Sequence, residues 1–88
     1  MRFPLGRSVA TPGALRVLAE TGTPPATLLA RHQNGDWGNV PREDARENEL
    51  SVKDGLRILS SYQMGDETLW VITEADRSVT TILRPDEY

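Results

Sequence analysis

Histidine occurs once in the chain, at position 32, inside the run Arg31-His32-Gln33-Asn34-Gly35-Asp36-Trp37-Gly38. An imidazole is the one side chain whose ordinary pKa lies near neutrality, so His32 is the natural general acid or base. A second polar cluster, Thr73-Glu74-Ala75-Asp76-Arg77-Ser78-Val79-Thr80-Thr81, lies near the C-terminus. His32 joined by the hydroxyls of Thr80, Thr81 and Tyr62 would suit acid–base chemistry without a metal. Arg77 beside Ser78 could hold a phosphate. Trp37, between Asp36 and Gly38, could stack a base or fill a groove.

Each residue also has a plainer reading, and the plainer one carries more weight. A histidine in the last turn of a helix satisfies carbonyls there or packs on a neighbour such as Trp37. A tryptophan beside glycine commonly closes the edge of a core. Arg77 has Asp76 and Glu74 as adjacent ion-pair partners. Thr80 and Thr81 are ordinary strand formers.

Composition narrows the chemistry. The 88 residues include no cysteine and a single histidine, which removes thiolate chemistry, disulfides and the usual zinc ligand sets. No phosphate-binding glycine loop and no Gly-x-Ser-x-Gly elbow is present. No cofactor is therefore expected. Net charge is −3 and the pI about 5.0, which argues against a broad non-specific nucleic-acid face. Apolar residues are 38% and charged residues 26%, enough for one small core in one domain spanning 1–88. No apolar run approaches the roughly 18 residues of a bilayer span, and the first residues lack a signal-peptide stretch. A cytoplasmic location without membrane contact is expected.

The elements that would position these residues are marked by caps and turns. Thr11-Pro12 opens a first helix, with Leu15, Leu18 and Ala19 as its apolar stripe and Gly22 as its stop. Thr23-Pro24 repeats the start signal for a second helix that carries Leu28, Leu29 and His32 and stops at Asn34-Gly35. A third helix begins around Pro41, with Glu43 and Asp44 favouring its N-terminal dipole, and ends at Gly55. On it, Asn48 shares the inner face of Ala45 and Val52 and needs hydrogen-bond partners. Strand patterning follows over 56–62, 69–73 and 78–83, with 69–73 central and Arg7–Ala10 available as a short edge strand. The expected fold is α+β: N-terminal helices on one face of a C-terminal antiparallel sheet of three to four strands. Ser60, Tyr62 and some of Thr73, Ser78 and Thr80 are expected on the face away from the helices, as a shallow polar site.

From Ala26 onward this layout resembles the barnase–EndoU–colicin–RelE group of metal-independent ribonucleases. The similar features are a helix ending in Arg31-His32, a glycine-containing loop, the acidic helix start at Glu43-Asp44, and a meander ending in Ser78-Val79-Thr80-Thr81. The resemblance implies RNA cleavage with His32 as acid or base, hydroxyls from Thr80 or Thr81, and lesser roles for Tyr62 and Arg77. The whole chain also resembles small proteins of unknown function carried on bacterial plasmids and integrative elements. That implies a non-catalytic module binding a protein through its acidic surface, a host defence component being one such target. An acidic chain with one histidine favours the binding module, with the RNA-cleaving domain as the alternative. Oligomeric state is left open.

Overall fold

In the computed structural model, which describes residues 1–88, Thr11 caps the first helix as its sequence suggests. Its Oγ1 accepts from the Ala14 N–H at 3.1 Å, and Pro12 takes the first position of α1 (Pro12–Thr21). The buried residues of α1 are Ala14, Val17 and Leu18. Leu15, expected on the stripe, is half exposed. Positions 14, 17 and 18 satisfy the same i, i+3, i+4 spacing as 15, 18 and 19, one residue and about 100° round the helix. The second helix, α2 (Pro25–Gln33), is capped by Pro24 rather than Thr23. Pro25 disfavours a helical Pro24, so Pro24 stays extended and the helix begins one residue later. The third, α3 (Arg42–Asp54), stops on Gly55 as α1 stops on Gly22; both glycines adopt the left-handed conformation that a Cβ disfavours.

Four strands form one sheet: β1 (Arg7–Ala10), β2 (Ile58–Met64), β3 (Glu67–Thr73) and β4 (Val79–Leu83), in the order β1-β4-β3-β2. The antiparallel meander β2-β3-β4 is present, with β3 inside it. Gly65-Asp66 alone makes the β2–β3 turn, with Met64 opposite Glu67, so both strands extend further toward it than sequence patterning indicates. The sheet as a whole is mixed, not purely antiparallel: β1 lies at the edge and runs parallel to β4, with Arg7 opposite Val79. One strand therefore precedes the helices. No hairpin joins β1 to β4, so nothing local fixes their relative direction, and a four-residue strand carries no pattern that would.

All three helices pack on one face of the sheet. One core cluster joins Ala14, Val17, Leu18 and Leu28 to Tyr62, Met64, Leu69, Val71 and Ile82. A second joins Phe3, Trp37 and Ile58, with Ala45 and Val52 of α3 against it. The opposite face carries the row Val9, Thr81, Ile72 and Leu59, and beside it Trp70, whose ring meets Tyr88 edge-on at 5.9 Å. No helix is long and apolar enough to cross a membrane.

The edge at β2 is closed. Asn48 of α3 donates its side-chain amide to the Leu59 carbonyl at 2.7 Å and accepts from the Leu59 N–H at 3.1 Å. The semi-buried asparagine of the sequence thus finds its partners in the strand edge. One step along, the Ser61 N–H donates to the Trp37 carbonyl at 3.0 Å and the Ser61 carbonyl accepts from Asn39 at 2.7 Å. Gly38 is required for that approach: it has φ 73°, and a Cβ there would lie 2.0 Å from the Ser61 oxygen.

Candidate functional site

The fold brings His32 together with hydroxyls from three strands. His32 projects from the last turn of α2 into the core, where its exposure is zero. Its Nδ1 lies 2.6 Å from Ser60 Oγ on β2, and its Nε2 lies 2.9 Å from Thr73 Oγ1 on β3. Thr73 Oγ1 is 2.7 Å from Thr80 Oγ1 on β4, and the Thr80 hydroxyl donates to the Leu5 carbonyl at 2.7 Å. Ser60, Thr73 and Thr80 are as fully buried as the imidazole.

The direction of each bond follows by counting protons. A carbonyl only accepts, so the single hydroxyl proton of Thr80 goes to Leu5. Thr73 must then donate to Thr80 and accept from His32 Nε2–H. That leaves Nδ1 as the acceptor, filled by the Ser60 hydroxyl. The result is one directed chain, Ser60 to His32 to Thr73 to Thr80 to Leu5, with the neutral Nε2–H tautomer fixed by its partners. Burial pushes the His32 pKa down to about 4, and the Arg77 charge adds to the shift. The ring is therefore neutral at pH 7. Phe3 and Trp37 meet it edge-on, at 5.2 and 6.0 Å.

This geometry inverts one expectation. Ser60, Tyr62, Thr73 and Thr80 point toward the helices, not away from them. By alternation along each strand they share that face with Ile58, Met64, Leu69, Val71 and Ile82, so the hydroxyls and the apolar core residues of the sheet lie on one side. A core can hold the polar set because each member is paired: no buried side-chain nitrogen or oxygen lacks a partner.

The remaining predicted site residues are dispersed. Thr81 is on the other face, beside Val9 and Ile72. Tyr62 is buried and its hydroxyl donates to the Asp36 carbonyl at 2.6 Å; desolvation raises its pKa to about 12. The Arg31 guanidinium lies 4.4 Å from the centre of that ring and bonds Asp36 at 2.6 Å. Trp37 is buried at the core edge, stacked on Phe3, and its indole N–H donates to Glu49 at 3.0 Å. Arg2 grips the same carboxylate through two bonds, at 2.6 and 2.9 Å, and these bonds with that of Trp37 pull the Glu49 pKa down to about 2. Helical spacing offers Glu49 an i, i+4 partner in Lys53 on a solvated face, but in the fold its partners are Arg2 and Trp37. Its partner Arg2 is 47 residues away, and only its place near Trp37 on the folded chain marks it.

Arg77 is a fastener. Its guanidinium donates to the carbonyls of Ser51 and Leu56 at 2.7 Å each, and of Glu74 and Ala75 at 3.1 and 3.2 Å. It therefore caps the C-terminal end of α3 and ties it to the β3–β4 turn. It is also the one non-glycine residue with positive φ, 60°. Ser78 is exposed, and its N–H bonds Asp76 at 3.0 Å.

Known proteins do not add to this picture. No family model, curated protein or solved structure matches the chain. The one cavity, about 330 Å³, lies at the β2–β3 turn and is lined by Asp66, Glu67, Thr68, Arg84, Pro85 and Asp86. None of the predicted site residues lines it. Arg84 and Glu67 are ion-paired across it at 3.5 Å. No group of three histidine, aspartate or glutamate side chains is arranged to hold a metal.

Proposed function

We propose that this protein is a non-catalytic binding module whose partner is another protein. The observation that carries this reading is the burial of His32: the only side chain with an ordinary pKa near neutrality has both ring nitrogens occupied and no exposed surface. An acid–base catalyst must reach the proton it moves, directly or through one water. Thr80, the hydroxyl nearest to it in that role, spends its proton on Leu5. The ribonuclease-like alternative needs this same pair at a surface, and no observation favours it.

The partner surface is the outer side of α3. Glu43, Glu47, Leu50 and Asp54 follow at i, i+4, i+7, i+11 and share one exposed stripe. Leu50 is 49% exposed, and none of the three acids takes part in an ion pair. Leu50 is thus an exposed leucine with these carboxylates along one flank and the exposed Arg46 and Lys53 along the other, which suits a partner whose basic side chains lie to one side of a small apolar pocket. The test is capture from a host lysate with the parent protein and with Glu43→Lys/Glu47→Lys. Loss of a specific captured protein in the variant supports the reading. RNA cleavage by the parent in the presence of a chelator, abolished in His32→Ala, would replace it.

A further inference from the structure

The β1 edge is finished quite differently from the β2 edge. Strand β1 has one neighbour, β4. The N–H groups of Arg7 and Thr11 donate to Ser78 and Ile82 of that neighbour, so the odd positions of β1 are bound inward. By alternation, the N–H and C=O groups of Ser8 and Ala10 point outward. No second strand pairs with them; Arg7 and Ser8 are exposed, and Val9 and Ala10 are half-buried. An unpaired strand edge is a template for another strand.

We propose that β1 pairs with β1 of a second copy of this chain, antiparallel about a two-fold axis through Val9. Only this register fits. Ser8 and Ala10 must be hydrogen-bonded positions, and a two-fold through Val9 sets Ser8 opposite Ala10 twice. Shifting the axis to Ala10 would place Ser8 opposite Pro12, which has no N–H to give. Shifting it to Ser8 would recruit Gly6, whose φ of 66° takes it out of the strand. The chosen register is also self-complementary in charge. It sets Arg7 across from Thr11 of the other copy, and Thr11 Oγ1 donates to the Glu87 carboxylate at 2.6 Å. Arg7 enters no ion pair within its own chain, so each guanidinium would meet the other copy's Glu87. The row Leu59, Ile72, Thr81, Val9 then runs on through the axis, and two four-stranded sheets become one of eight. This surface is separate from the outer side of α3, so self-association and partner capture are tested independently.

Sedimentation velocity of the full chain over rising concentration should show the 9.8 kDa species giving way to one of twice that mass. Ser8→Pro removes an N–H that no intramolecular bond uses, and Arg7→Glu sets like charges face to face. Each should weaken association at least about tenfold, while the thermal melt measured at concentrations where the chain is monomeric stays that of the parent. Val9→Cys, in a chain with no other cysteine, should oxidise to a covalent dimer, since non-hydrogen-bonded cross-strand pairs lie about 4.5 Å apart at Cα. Ser8→Cys should not, because the axis through Val9 holds the two Ser8 residues too far apart. A chain that stays monomeric at hundreds of micromolar, or a dimer indifferent to both Ser8→Pro and Arg7→Glu, would overturn the proposal.

Discussion

At the β2 edge of the sheet, Asn48 and the 37–39 segment take up the outward backbone groups; at the β1 edge, those of Ser8 and Ala10 have no strand partner. The β2 side is also where polar side chains are spent inside the fold. His32 ties β2, β3 and β4 together, Arg77 ties α3 to the β3–β4 turn, and Glu49 ties Trp37 to the N-terminus. Their hydrogen-bonding capacity is consumed in holding layers together, so these residues, though rich in chemical potential, are poor candidates for work on a substrate. Free capacity is found instead at the β1 edge and on the outer side of α3. A polar residue in a small domain is therefore better judged by whether its bonds are filled than by its type.

Removing one of the filled bonds on the β2 side should therefore lower stability, whereas changing an exposed residue of the β1 edge should not. The largest effect is expected for His32→Ala, which opens a cavity and strands the Ser60 and Thr73 hydroxyls. A loss of about 3–5 kcal/mol is expected in denaturant unfolding, a large part of the total for such a domain. A melt close to the parent would show that the buried chain is not what joins the strands.

Acid should act through the same residue. The unfolded imidazole takes a proton near pH 6.5, whereas the folded one resists until about 4. Below pH 6.5 the unfolded state thus binds more protons, and stability falls with pH through that window by about 3 kcal/mol, then levels. Glu49 acts in the same direction at lower pH: its lowered pKa adds stability that is full above pH 4.5 and is lost as pH falls toward 2. A fall between pH 6.5 and 4.5 that disappears in a folded His32 variant would assign it; a flat profile there would remove His32 from the account.

Asn48→Ala should cost about 2–3 kcal/mol, because both the Leu59 N–H and its carbonyl lose their partner. Hydrogen exchange at Leu59 should rise with it. Arg77→Ala should cost about 1–2 kcal/mol through the lost helix cap, softened by solvent access. Arg7→Glu, on the open edge, should move monomer stability by less than about 0.5 kcal/mol. A larger effect would mean that β1 is held by contacts beyond its pairing with β4.

Much of this was legible in the sequence where the cause is local. Thr11-Pro12, Gly22 and Gly55 mark helix ends because capping depends on residues a few positions apart. The three-strand meander was legible because short turns force antiparallel neighbours. The inner placement of Asn48 followed from helical periodicity. The candidate site was only half legible. His32 facing inward followed from its spacing to Leu28 and Leu29, but Ser60 and Thr73 are 28 and 41 residues away, and nothing local pairs them. The same limit applies to β1, whose parallel partner lies at the far end of the chain. Ser60, Thr73 and Thr80 alternate in step with Ile58, Val71 and Ile82 and so share the core face; what no local pattern shows is the distant histidine that satisfies their hydroxyls there.

Imidazole nitrogen NMR over a pH titration tests most directly whether His32 stays sealed in its buried hydrogen-bond chain. Nε2 should be protonated and Nδ1 should be a hydrogen-bonded acceptor at neutral pH, with no titration until pH approaches 4, where folding itself is weakened. A ring that titrates reversibly near pH 6.5 in the folded protein, exchanging tautomers as it does so, would contradict the account.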